Sequence, residues 1–385
     1  MAHLPSEVYL TNTFMHSGNV SPSTPKLQLQ LSIPIPARDP TYYISDGNTV
    51  LLVESTLFKV HRSILKNDKS TFDSMFSLDS DLRSNSDASS SSVTVGPEGE
   101  SDDNPIRLQG DTADEFRALL WALYATPPDF ERAVSPKSNN LLQLFNLARI
   151  THKYEFHAIE RWTLDTLTKR YTSSDPPSSI DDPHEPSLVQ LTELASLCEK
   201  RALLDAATKR WKRVIASGKD IALAIGVAER HNMRALLGLA YYTMMLQGRE
   251  QWDADMLLTR AQRIRLLSGH YALGRLGERI PNEPPSLAHS PRCAGGAQVR
   301  CNQSWAALWR SLLEMGRQVL PLQYADVVGK VMMAESVVKA LVDGNIPTQG
   351  MLDGMPWCKD NALAAAAGKV KELQETLADY FTDVV

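Results

Sequence analysis

The sequence predicts an α+β fold: a small sheet with packed helices in the N-terminal part, followed by an all-α helical domain. Three observations predict it. Val50 to Val53 is a short apolar run that suits a buried strand, and Thr56 to Val60 resumes with β-branched and aromatic residues after Glu54-Ser55, so the pair reads as a hairpin. After His61 the period changes: Ile64 and Leu65, then Phe72, Met75 and Phe76, fall at spacings that suit one or two short helices. From Ser187 onward the apolar residues follow a helical period almost without interruption.

In chain order, residues 1–40 mix Ser, Thr, Pro and isolated apolar residues and read as a disordered tail. Within it Leu27 to Ile35 alternates and could add an edge strand, stopped by Pro34 and Pro36. The hairpin and short helices open a domain expected over 41–171. A stretch from Asp79 to Asn104, rich in Ser, Asp and Glu, has too few apolar groups to offset chain ordering and reads as a disordered insertion. Pro105 to Leu108 is a strand candidate. The run DTADEFRALLWALYAT predicts a helix, because Thr112 and Glu115 are spaced as a capping box and Phe116, Leu119, Leu120 and Leu123 share a face. Pro127-Pro128 ends it, and a polar link over Glu131 to Asn139 follows. Leu141, Leu144, Phe145 and Ala148 predict the next helix, and His157 to Tyr171 another.

Residues 172–186 hold four prolines and several acids and read as a linker. The helical C-terminal domain is expected over 187–385, opening on a capping box at Ser187 and Gln190. Successive stripes such as Leu203, Ala206, Ala207, Trp211, Val214 and Ile215 read as stacked antiparallel helices. Arg279 to Asn302, with Pro, Gly and two Cys, breaks the pattern. Helices are expected again over Trp305 to Leu320, Tyr324 to Val342 and Lys359 to Phe381.

Composition narrows the function classes. A net charge of -5 gives no general electrostatic reason to seek nucleic acid. Four cysteines in 385 residues make no disulfide framework, so a reducing, intracellular setting is expected, cytoplasm or nucleus being unresolved. No secretory signal and no run of roughly twenty apolar residues is visible, so no membrane partner is expected. Lys209 to Arg213 is a basic cluster, but Trp211 within it belongs to an apolar stripe, so it reads as a solvated face around a core residue.

One combination of motifs is more specific. Asp46 precedes the hairpin; the second strand runs into Phe58-Lys59-Val60-His61-Arg62-Ser63-Ile64-Leu65; Ser70-Thr71-Phe72-Asp73-Ser74-Met75-Phe76 follows; and Asn104 to Tyr124 joins a short strand to a helix. With these residues, 42–171 resembles a BTB/POZ domain, in particular the fungal branch of that family. The motif residues are Asp46, Phe58, His61, Leu65, Phe72, Met75 and Phe76. The resemblance implies a non-enzymatic protein-interaction module, a scaffold or adaptor that commonly forms a homodimer. Some members act as substrate adaptors of cullin-type ubiquitin ligases and others serve transcription. Cullin-binding members carry an apolar-x-Glu element after the Met-Phe pair. Ser77 to Arg83 contains no Glu, which speaks against cullin binding. The helical remainder resembles the extensions that often follow such domains.

Motifs of catalysis are missing: there is no G-x-S-x-G, H-E-x-x-H or G-K-[ST], and Gly269, Gly274 and Gly277 form no dinucleotide fingerprint. No catalytic residue and no cofactor is assigned. The one ligand-like set is His289, Cys293 and Cys301, with Cys358 or His270 as fourth member. Zinc takes four N or S ligands, but this spacing matches no common finger. Buried free cysteines are the simpler account, so no metal is assigned from spacing alone.

Overall fold

The structure, a computed structural model, describes residues 36–84, 98–135, 140–173, 186–319, 324–345, 350 and 352–383, with the backbone alone at 78–84 and 316–319. It is a mixed fold in which one small sheet is followed by many helices. The expected Leu27 to Ile35 strand, the centre of the insertion (85–97), residues 136–139 and most of the linker (174–185) lie outside the described residues.

The hairpin is β2 (Thr49–Val53) and β3 (Thr56–Val60), antiparallel with Val53 opposite Thr56. Glu54 closes the turn with φ 52°, a left-handed conformation that a two-residue hairpin turn demands. The other strands are β1 (Ala37–Tyr43) and β4 (Ile106–Leu108), and the sheet order is β1-β3-β2-β4. Both outer strands are parallel to their neighbours. β1 begins inside the stretch read as a tail. Pro40 hides it from a strand reading, yet an edge strand tolerates a proline, and the register slips between Arg38 and Tyr43.

Asp39 holds this edge strand to the body. Its carboxylate accepts from the Thr41 and Tyr42 N–H groups at 3.0 and 2.8 Å and from Arg117 Nε at 2.8 Å. Burial works against the charge, but those donors outweigh it and hold the carboxyl below its usual range. The stability this contributes is complete above the ordinary carboxylate pKa and is lost as pH falls through the lowered one. Asp39→Asn is therefore expected to lose about 1–3 kcal/mol at neutral pH, with the deficit shrinking as the solution is acidified. Urea titrations at neutral and acidic pH read both; a deficit that stayed constant with pH would refute the assignment.

Two short elements follow the hairpin, α1 (Arg62–Leu65) and α2 (Thr71–Ser84). The insertion read as disordered therefore starts inside a helix, since residues 79–84 continue α2. Its other end is ordered too: Gly99, at φ +82°, accepts from Val50 N at 2.7 Å, and Asp102 pairs with Arg38 at 2.8 Å. Polar composition hid these contacts because they are made by backbone and charge. A Cβ on Gly99 would lie 2.8 Å from Ile106 Cδ1, so only glycine fits this left-handed turn.

After β4, α3 (Ala113–Tyr124) starts on the expected Thr112–Glu115 capping box. α3 ends at Tyr124, ahead of Pro127-Pro128 as expected, but the same prolines begin a helix that was not expected, α4 (Pro127–Val134), capped by Thr126 and Asp129, in part of what was read as a polar link. Proline suits the first helical turn, where its missing N–H has no partner to lose. α5 (Leu141–Lys153) and α6 (His157–Thr172) complete the N-terminal part.

The expected helical part consists of α7 (Leu188–Leu197), α8 (Arg201–Ala216), α9 (Ile221–Arg230), α10 (Arg234–Gln247), α11 (Arg249–Ala254), α12 (Arg260–Arg279), α13 (Gly296–Val319), α14 (Val327–Val342) and α15 (Lys359–Thr376). The Ser187–Gln190 capping box forms at α7. α13 begins earlier than its apolar period suggests, so the irregular break ends at Gly295 and Cys301 is helical. The last helix stops at Thr376 and ends in a 3-10 turn, Leu377–Tyr380.

Two cores result. One joins sheet and helices through Leu51, Phe58, Leu65, Phe72, Phe76, Phe116, Leu119 and Leu120. The larger runs from α5 to Phe381. α5 serves both, with Ile150 in the first and Leu141, Leu144, Phe145 and Ala148 in the second. The helical part is thus packed directly on α5 and α6, and Lys200 adds a 2.6 Å ion pair to Asp165 of α6.

Candidate functional site

The motif residues split into a buried set and a surface set. Phe58, Leu65 and Phe72 are fully buried, Phe76 is nearly so, and Met75 packs against them. Phe58 meets Phe116 edge-on at 4.9 Å, which joins the strand before the insertion to the helix after it. His61 and Asp46 lie at the surface. His61 Nδ1 is 2.9 Å from the Tyr124 hydroxyl, and Nε2 is 3.5 Å from Asp46 Oδ2. The His61 N–H also donates to Tyr124 Oη, while Asn48 Oδ1 accepts from Arg62 N. The arrangement fixes the turn from β3 into α1.

The ligand-like set converges. One donor atom each from His289, Cys293, Cys301 and Cys358 lies within 4.8 Å of all the others. His289 Nδ1 is 3.7 Å from both the Cys293 and the Cys358 sulfur. The three cysteines are buried, and His289 is half-buried. Three separate elements deliver these groups. His289 and Cys293 sit on the irregular segment between α12 and α13, Cys301 on α13, and Cys358 at the position capping α15. His270, the other candidate fourth ligand, is not in the group.

Hydrogen bonds anchor the irregular segment. Trp309 Nε1 donates to the Ile280 carbonyl and Trp305 Nε1 to the Pro285 carbonyl, each at 2.8 Å, and Asn361 Nδ2 donates to the Ala288 carbonyl at 2.8 Å. Ser290 N–H points at the Cys358 sulfur, 3.4 Å away, and Cys293 N–H closes a turn on the Ser290 carbonyl. A cleft of about 350 Å³ lies alongside, lined among others by Cys293, Arg300, Cys301, Asp353 and Trp357. Burial, with the Cys358 and Cys293 sulfurs beside it, pushes the Cys301 thiol up to about 12, and Cys293 is raised for the same first reason.

Other polar clusters are committed within the fold. His152, Glu160 and Cys198 also approach one another, but His152 Nδ1 already contacts Glu160 at 2.8 Å. Burial pushes the Cys198 thiol up to about 12. Asp111 accepts from Tyr154 Oη and Lys153 Nζ, both at 2.6 Å, which pins the loop before α3 to the end of α5. The basic stretch is placed as its pattern implied: Trp211 is buried and donates to Thr192 Oγ1 at 2.9 Å, while Lys209, Lys212 and Arg213 are exposed.

A further surface feature escaped the sequence reading. Ile264, Leu267 and Tyr271 of α12 fall on one face and are exposed, continuing from exposed Met256 and Leu257. Leu266 and Leu273 fill the opposite face, so α12 carries apolar residues on two sides, a signal present in the sequence. Among the described residues no helix is long and apolar enough to cross a membrane.

Comparison with known proteins identifies no relative: no protein-family model, no curated protein and no solved structure matches the chain.

Proposed function

We propose that this protein is a non-enzymatic interaction module of the BTB/POZ kind, a scaffold or adaptor that pairs with a second copy of itself and recruits another protein. The observation that carries the reading is the shared core of the two motif halves. Phe58, Leu65, Phe72 and Phe76 from before the insertion pack with Ile106, Phe116, Leu119 and Leu120 from after it. This packing makes the two stretches that carry the resemblance parts of one folded unit, which supports the reading. The exposed apolar row on α12 supports a protein partner for the helical half, because contiguous apolar surface is costly to leave in water.

Affinity capture of the full chain from its source cell, with a second, differently tagged copy co-expressed, tests this. The expected eluate holds both tagged copies and one further protein in fixed ratio. An eluate with a single copy and no stoichiometric partner would overturn the reading. A cullin in fixed ratio would instead make the protein a ligase adaptor, despite the absence of Glu from Ser77 to Arg83.

A further inference from the structure

We propose that His289, Cys293, Cys301 and Cys358 bind one zinc ion in a closed structural site that ties the segment after α12 to α13 and to the start of α15. The argument is geometric. Zinc–sulfur bonds of about 2.3 Å and zinc–nitrogen bonds of about 2.0–2.1 Å, arranged as a tetrahedron, set donor atoms about 3.6–3.8 Å apart. His289 Nδ1 lies 3.7 Å from two of the three sulfurs, and all four donors fit within 4.8 Å of one another. Two donors come from one short loop and the other two from the starts of two helical elements, and bringing donors that lie within 4.8 Å to tetrahedral spacing takes shifts of about 1 Å or less.

Chemistry selects the ion. Three thiolates and an imidazole with no carboxylate among them disfavour magnesium and calcium, and a closed tetrahedral S₃N set is a zinc arrangement. Binding exchanges three S–H protons for the cation: three thiols and Zn²⁺ give three Zn–S bonds and three released protons, leaving a site of charge −1. The surroundings suit that charge. Ser290 N–H donates to the Cys358 sulfur, Cys358 stands at the positive end of the 18-residue α15, and Arg300 lines the adjoining cleft.

A reason for the site also follows from the fold. From Glu283 to Gly295 the chain has no regular element, and only Leu287 and Cys293 of that stretch are buried. With so little apolar burial the loop is held mainly by single hydrogen bonds from Trp305, Asn361 and Gln298. A metal joining its end to two helices adds a much stronger tie to these anchors. Three of the chain's four cysteines are collected here, whereas thiols used only as small apolar side chains have no cause to gather around an imidazole.

The test is metal analysis of untagged full-length protein purified without chelator under reducing conditions, followed by cobalt titration of the stripped protein. One zinc per chain is expected, and cobalt should give the intense visible bands of a tetrahedral ion with thiolate charge transfer beside them. Cys301→Ser should lower the metal content and weaken the charge-transfer band, whereas Cys198→Ser should leave both unchanged. Because Cys301→Ser could unfold, the wild-type readings decide. A wild-type protein with only trace metal and no charge-transfer band with cobalt would overturn the proposal, as would unchanged zinc in a folded Cys301→Ser protein.

Discussion

Replacing Phe72 with alanine is expected to cost about 3–5 kcal/mol of stability, a large share of what an ordinary domain possesses. The ring is fully buried and meets aromatic rings of α2 and of the α5–α6 turn. It stacks on Tyr154 at 4.4 Å, lies 6.2 Å from Phe156, and stacks on Phe76 at 6.1 Å. Tyr154 and Phe156 follow α5, so Phe72 links the start of α2 to the α5–α6 turn, where Thr71 N–H also bonds to the Tyr154 carbonyl at 3.0 Å. Removing the ring opens a cavity that three other aromatic rings cannot fill without leaving their own contacts. Denaturant unfolding measures the loss. A change below about 1 kcal/mol would mean the site collapses freely and that Phe72 is not central to this core.

The second large effect is expected at Trp309. It is fully buried on α13, 5.6 Å from Trp305, and its indole N–H satisfies the Ile280 carbonyl. Trp309→Ala removes both packing and hydrogen bond, and a loss of about 3–5 kcal/mol is expected. Trp309→Phe separates the two contributions. It keeps most of the apolar area and removes the indole donor from a carbonyl that still accepts from the Glu283 N–H at 3.2 Å, so a smaller loss of about 0.5–1.5 kcal/mol is expected. Equal losses in the two variants would show that the hydrogen bond, not the packing, fixes the segment leading to His289. Because α5 contributes to both cores, the Phe72 and Trp309 variants should also show whether the chain unfolds in one transition or two.

Legibility in the sequence followed the range of the interaction. The hairpin was legible because two apolar runs flank a two-residue turn, and the structure pairs Val53 with Thr56 as that spacing requires. Capping boxes at Thr112 and Ser187 were legible because both partners lie within one turn. α4 was misread because Pro127-Pro128 ends a helix in one context and starts one in another, and Asp129 decides between them. β1 was hidden by Pro40, and the order of residues 98–104 by their polarity. The convergence of Cys358 on His289 depends on how α13 and α15 pack, which no local spacing encodes. The exposed face of α12 was missed for a related reason: a helix apolar on two sides does not reveal which side is covered.

The proposal that this protein works by pairing with proteins, its own copy first, is tested most directly by light scattering on the full chain at micromolar concentration. The predicted result is a single species of twice the 42.7 kDa chain mass that persists on dilution through the low micromolar range. A species at the single-chain mass throughout that range would contradict it.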